Sequence, residues 1–238
     1  MKDLCIFKRY EKKYRLTLAQ KEQLLSRMAK RLTPDPHGRS TICSLYLDTP
    51  DYRLIRQSME AHTYKEKLRL RSYGTPTAQE RVFLEIKKKY KGVVYKRRER
   101  MTLAEAKRYL TDGTKPVNSQ IMREIDYAMA FYRHPRPSML LCYERDAYYD
   151  KEDPNLRITF DTGIRYRAET LDLAEGTDGT AILPADAVLM EIKTAGAMPL
   201  WLSHLLDEHG IYPTSFSKYA HCYQHHLLHK ETPYERVV

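Results

Sequence analysis

The side chains best equipped for chemistry are cations spaced two residues apart. Lys67-Leu68-Arg69-Leu70-Arg71 sets three of them between leucines, and Lys96 lies in a further basic run, Lys96-Arg97-Arg98-Glu99-Arg100. Elsewhere the same spacing joins a cation to a carboxylate or hydroxyl: Glu11 with Lys13, Glu85 with Lys87, Arg157 with Thr159 and Asp161, and Glu191 with Lys193. Guanidinium groups grip anionic oxygens bidentately, ammonium groups add compact point charges, and a carboxylate among them can hold a divalent metal. Such a set suits an anion of high charge density. Other chemistries lack their residues. Cys5, Cys43, Cys142 and Cys222 are dispersed with no C-x-x-C pair, so they read as buried thiols in a reducing, cytoplasmic setting. His221, His225 and His229 share one helical face, but no H-E-x-x-H accompanies them, and a solvated face is the simpler reading.

A period of two is the mark of a strand. It places strands at Arg9–Lys13, Lys67–Arg71, Val82–Lys87, Leu156–Asp161 and Val188–Lys193, with further candidates at Ser40–Leu47, Val93–Arg100 and Met139–Tyr149. Helices lie between them. Thr17 with Gln20 and Thr102 with Glu105 read as capping boxes, opening helices to about Leu32 and Leu110. Ser119–Tyr132, Leu200–His209 and Tyr219–Leu228 read as three more. The turns are short and there is no repeat, so one α+β domain over residues 1–238 is the simplest organisation.

The chain of 238 residues carries a formal net charge of +10 and is 42% hydrophobic, enough for a core. No apolar run reaches the roughly 18 residues of a membrane span, and Lys8-Arg9 interrupts any signal-peptide core, so no integral membrane segment is expected. The charge is local: residues 64–100 hold thirteen Lys or Arg against four acids. If the basic strand faces point to solvent, they form a solvated sheet or a nucleic-acid platform. Such platforms interleave exposed aromatics, and here only Phe7, Tyr46, Phe83 and Tyr143 fall on these faces. If about eight strands close into a barrel, the apolar sides pack outward on helices and the cations line a tunnel. Periodicity alone leaves both readings open.

These segments resemble the triphosphate tunnel metalloenzymes, and within them the VTC domain, a polyphosphate polymerase module. The likeness is carried by Arg9-Tyr10-Glu11-Lys12-Lys13-Tyr14, Ser44-Leu45-Tyr46-Leu47-Asp48-Thr49, Lys67–Gly74, Phe83–Lys89, Tyr143–Tyr148, Arg157–Thr162, Met190–Lys193 and Phe216-Ser217-Lys218-Tyr219. It implies a closed eight-stranded antiparallel β tunnel with flanking helices. It implies that Lys13, Arg69, Arg71, Lys87, Lys96, Arg145, Arg157, Lys193 and Lys218 hold a triphosphate or polyphosphate. It implies that Glu191 binds the metal, Mn²⁺ or Mg²⁺, with Glu85 and Glu11 as further candidates. The first strand reads Arg9-x-Glu11-x-Lys13 where hydrolases and cyclases of the wider superfamily often carry Glu-x-Glu-x-Lys. Exchanging a carboxylate for a cation favours phosphate grip over a second metal.

The implied reaction is transfer of the ATP γ-phosphoryl group to a growing polyphosphate chain, with Arg69, Arg71, Lys87, Arg145, Arg157 and Glu191 at the reacting centre. The rival readings are a triphosphatase on the same fold and a non-catalytic polyphosphate-binding module. Nucleic acid is not an expected partner, because a tunnel for one slender chain excludes a duplex.

Overall fold

The structure is a computed structural model that describes residues 10–60, 63–91 and 93–228. Arg9, Phe7, Cys5, Gly92 and His229 lie outside the described residues. The elements run in the order β1 (Tyr10–Thr17), α1 (Leu18–Met28), β2 (Leu32–Pro34), β3 (Ser40–Asp48), α2 (Arg53–Met59), β4 (Tyr64–Tyr73), β5 (Arg81–Tyr90), β6 (Val93–Thr102), α3 (Leu103–Asp112) and α4 (Gln120–Phe131). They continue with β7 (Arg136–Asp150), β8 (Arg157–Arg167), β9 (Thr180–Ala181), β10 (Ala187–Thr194), α5 (Leu200–Glu208), β11 (Pro213–Thr214) and α6 (Lys218–Cys222), which runs into a π-helical turn, Tyr223–Leu227.

Local chemistry accounts for the helix starts. The Thr17 hydroxyl accepts from the Gln20 N–H while the Gln20 side chain accepts from the Thr17 N–H, and Thr102 with Glu105 does the same. Ser119 caps α4 by accepting from the Met122 N–H. The short helix α2 has no such local signal. Its free amides at Leu54 and Ile55 donate to the carboxylate of Asp48, at 2.8 and 3.0 Å, from the end of the preceding strand.

The sheet departs from the closed eight-stranded tunnel that the resemblance implies. All strands belong to one eleven-stranded sheet in the order β11-β1-β10-β8-β7-β3-β4-β5-β6, with β2 added to β7 and β9 to β8. The sheet is not closed: β6 and β11 are its ends. The five strands marked by alternation and the three further candidates are all present, the first described from Tyr10. The other three, β2, β9 and β11, have two or three residues each, too short for a period of two to register. Side chains rather than a backbone ladder span the seam among the described residues. Lys87 Nζ lies 4.0 Å from Glu11 Oε2, and Lys67 Nζ donates to Ser217 Oγ at 3.1 Å.

The convex face of the sheet is apolar. Leu68, Leu70, Val82, Leu84 and Ile86 pack with α3 and α4, and Tyr14, Ile158, Phe160, Met190 and Ile192 pack with α1 and α5. Each fully buried leucine stabilises the fold by about 1.5–3 kcal/mol. Cys43 and Cys142 are register partners on β3 and β7, and their sulfur atoms are 3.1 Å apart. The concave face is divided. On β3 and β7 its apolar residues, including Ile42, Tyr46, Met139 and Leu141, pack against Tyr219, Cys222, Tyr223 and Leu227 of the C-terminal helix. The remainder is charged.

Candidate functional site

The strand pleat decides which side chains meet on the concave face. Register pairs Lys67 with Lys87 and Lys87 with Lys96, so one row of ammonium groups crosses β4, β5 and β6. Across the cavity, Lys13 pairs with Glu191 and Glu11 with Lys193, while Arg145 pairs with Asp161. The cavity has a volume of about 870 Å³, and its lining includes eleven Lys or Arg against three carboxylates, Glu11, Asp35 and Glu191. Lys218 enters from the first turn of α6, which the apolar half of the concave face holds in place.

One side of the cavity is heavily paired. Glu191 receives Lys193 at 3.2 Å, Arg145 at 3.3 Å, Lys218 at 3.5 Å and Lys13 at 3.6 Å. Arg145 also grips Asp161 bidentately, at 2.6 and 2.7 Å, and Lys218 binds the same carboxylate at 2.6 Å. Burial opposes ionisation of Glu191, yet the surrounding Lys193, Lys218, Arg145 and Lys13 hold it well below the usual carboxylate range. Burial likewise opposes the charge on Lys218, and Asp161 with Glu191 more than compensates, raising its pKa. The rings and cations also meet: Lys218 and Arg145 stand over the Tyr143 ring at 4.4 and 5.2 Å.

The other side has more cations than counter-ions. Glu85 is 2% exposed and is engaged by Arg69 at 2.7 Å and Lys96 at 2.7 Å. Among the described residues Arg71 hydrogen-bonds only to hydroxyls, donating to Ser44 at 3.1 Å and to Tyr143 at 3.4 Å, and its charge helps to hold Glu85 ionised. Burial, reinforced by Lys13, Lys87 and Arg69, pushes the Lys67 ammonium down to about 8. Burial, with Arg69 and Arg71 nearby, brings Lys96 to about 8 despite Glu85. Burial also lowers Lys87, with Arg69, Lys193 and Lys13 adding to it against Glu11. Burial would raise the Tyr46 phenol, but Arg69, Lys67 and Arg71 bring it down to about 8. These cations repel one another and jointly favour an anion.

The structure brings Lys13, Arg69, Arg71, Lys87, Lys96, Arg145, Arg157, Lys193 and Lys218 to one cavity, together with Glu191 and Glu11. Arg157 donates to Asp35 at 3.1 Å, while its Nε is buried without a partner. The three metal candidates separate. Glu11 and Glu191 share Lys13 and Lys193, and no cation comes closer than 3.2 Å to Glu191 among the described residues, whereas both oxygens of Glu85 are held at 2.7 Å by Arg69 and Lys96. No group of three or more His, Cys, Asp and Glu side chains among the described residues could hold a metal alone. Glu191, with Glu11 beside it, fits a cation that takes most of its ligands from a bound anion, as Mg²⁺ commonly does with phosphates. Two residues of these alternating faces that the resemblance did not assign to the site are Lys67 and Asp161. Both share strand parity with site residues, Lys67 with Arg69 and Asp161 with Arg157, which is the signal that could have found them.

Among the described residues no helix is long and apolar enough to cross a membrane. No curated protein matches the chain. Among solved structures, the fold is similar to that of a candidate adenylate cyclase from Bacillus halodurans, with a TM-score of 0.57 and 13% identity over 90% of this chain and 96% of that one. It is also similar to a candidate adenylyl cyclase from Hippeastrum described as having a dominant triphosphatase activity, with a TM-score of 0.51 and 16% identity over 88% of this chain and 92% of that one. At such identities the likeness is one of fold, the triphosphate tunnel type. The family model of the VTC domain matches residues 8–227, from the first strand to the end of the C-terminal helix, and the chain belongs to that family.

Proposed function

We propose that the protein is a metal-dependent polyphosphate polymerase that transfers the γ-phosphoryl group of ATP to the end of a polyphosphate chain. Family membership and fold support a role on polyphosphate or triphosphate. The observation that carries the finer reading is that the site's carboxylates are paired with cations, Glu11 with Lys13, Glu85 with Arg69, Asp161 with Arg145 and Glu191 with Lys193. Glu11, Glu85, Asp161 and Glu191 all have lowered pKa values, because burial is outweighed by Lys87 at Glu11, by Arg69 at Glu85, by Lys218 at Asp161 and by Lys193 at Glu191. Carboxylates so held are weak general bases. A hydrolase must deprotonate water, whereas a terminal phosphate oxygen is already ionised. In the proposed step that oxygen attacks the γ-phosphorus, the bond from γ-phosphorus to the β,γ-bridging oxygen breaks, and ADP leaves with the bridging electron pair. Fully ionised reactants and products balance without a proton.

Arg69, Arg71, Arg145 and Arg157 would align the two chains in line and neutralise charge spreading over the transferred group. Lys13, Lys67, Lys87, Lys96, Lys193 and Lys218 would extend the track on both sides. Mn²⁺ or Mg²⁺ would be held by Glu191, with Glu11 adjacent, and when bound supplies further neutralisation of phosphate charge. Glu85 and Asp161 would hold Arg69 and Arg145 in position.

A second reading, a triphosphatase on the same site, is favoured by the activity described for the Hippeastrum neighbour. Incubating the purified protein with ATP and Mn²⁺ separates the two. Long-chain polyphosphate on a gel supports the polymerase; orthophosphate with no chain growth identifies the hydrolase. Glu191→Gln should lower synthesis by about 10²–10³-fold, as loss of one electrostatic stabiliser typically does, without loss of fold. Full activity in that variant overturns the role given to Glu191.

A further inference from the structure

The inner row of β4 does not end in a cation. Lys67, Arg69 and Arg71 are followed at the next inward position by Tyr73, and all four line the cavity. Tyr73 is 56% exposed, so its ring is open to solvent although it belongs to the concave row. Beside it, Phe83 meets its edge at right angles with the ring centroids 5.9 Å apart, and the Arg98 guanidinium stands over Phe83 at 5.1 Å. Phe83 and Arg98 line the same cavity, and Phe83 is the register partner of Arg71.

An inorganic phosphate chain gains nothing from aromatic rings. A planar, polarisable group joined to a phosphate chain does. We infer that Tyr73, Phe83 and Arg98 form a platform for the nucleobase of a nucleoside triphosphate, at one mouth of the cation track. This rests on the phosphate-handling reading above and deepens it, naming the residues that take the donor's base and how the donor lies. Alternate residues on a strand are about 6.7 Å apart. A base on Tyr73 therefore leaves a ribose-sized step to Arg71, with Arg69 and Lys67 following along the same row. The nucleoside end of the donor sits at the Tyr73 mouth, and the acceptor chain comes from the side of Lys67 and Lys87. Stacking is tolerant of base identity because every base has a π-face, and a purine covers more of the ring than a pyrimidine.

The test is titration calorimetry of the full chain with ATP and, separately, with inorganic triphosphate, for the wild type, Tyr73→Ala and Tyr73→Phe. Stacking on an aromatic side chain is lost on substitution by alanine, so Tyr73→Ala should weaken ATP by about tenfold and leave triphosphate unchanged. Tyr73→Phe keeps the ring and should restore ATP binding. A Tyr73→Ala protein that binds ATP as the wild type does, or that loses ATP and triphosphate equally, overturns the platform and leaves the phosphate reading standing. A wild-type protein that binds neither ligand overturns the phosphate reading itself, and the platform with it.

Discussion

The two sides of the cavity carry similar cations in opposite electrostatic states. On β1, β7, β10 and α6, the cations Lys13, Arg145, Lys193 and Lys218 share the carboxylates of Glu191, Asp161 and Glu11, and the pKa of Lys218 is raised because Asp161 and Glu191 outweigh the effect of burial. On β4, β5 and β6, Glu85 is the one carboxylate among the described residues that pairs with Arg69 and Lys96, while Lys67 and Arg71 hydrogen-bond to hydroxyls, and burial with mutual repulsion lowers Lys67 and Lys96 to about 8. One side is an internally neutralised framework. The other is a surplus of charge that a polyanion would relieve. Positive charge in a cavity is therefore not one property: on one side it is answered by built-in carboxylates, and on the other it is left for an anion to offset.

The contrast can be broken most severely at Asp161, which is fully buried. Asp161→Ala removes the nearer of the two carboxylates that Arg145 and Lys218 share and leaves them to Glu191, and removing one member of a buried ion pair costs about 3–5 kcal/mol. Denaturant unfolding should show that loss, and added inorganic triphosphate should recover more of it than it adds to the wild type. The opposite side should respond with the opposite sign. Lys67→Met should leave the ligand-free protein as stable or about 1 kcal/mol more stable, since apolar replacement of a poorly compensated charge is often favourable. It should weaken triphosphate binding about tenfold, the scale of one lost charge-assisted hydrogen bond.

The pH dependence should sharpen the same difference. Lys67 and Lys96 titrate near 8 in the folded protein against an ordinary value of 10.5, so the unfolded chain binds more protons between those limits. Stability of the ligand-free protein should accordingly rise from pH 8 to pH 10.5, by about 1 kcal/mol after solvent screening. Triphosphate affinity should fall across the same window as the two ammonium groups lose their protons. Thermal melts and calorimetry at pH 7.5 and 9.5 check both signs; a parallel change in the two quantities would contradict the contrast. The smallest effect belongs to an ion pair outside the cavity. Arg27 and Glu208 are 60% and 56% exposed, and Arg27→Ala should change stability by less than about 0.5 kcal/mol.

Much of this was legible before folding. Leu68 and Leu70 between Lys67, Arg69 and Arg71 declare a strand with one apolar and one basic face, and Thr17 and Thr102 mark their helices by capping chemistry alone. Helix α2 was not legible, because its capping carboxylate, Asp48, precedes it by a turn and belongs to another element. Nor were β2, β9 and β11, whose two or three residues carry no period. The helix over Tyr219–Leu228 was legible as helix but not as an α-helical turn passing into a π-helical one, a choice made where Tyr219 and Tyr223 pack into the concave face.

By itself the sequence determined which residues alternate, where the charge is concentrated and which family the chain resembles, because these depend on neighbours along the chain. The tertiary structure alone decided that the basic faces turn inward, that the sheet stays open between β6 and β11, and that Asp161 and Glu191 gather Arg145 and Lys218 while Lys67 is left to a hydroxyl. Those outcomes depend on pairings between residues as far apart as Lys67 and Ser217, and a charge is stabilised or destabilised by what lies within a few ångströms of it in space, whatever its distance in sequence.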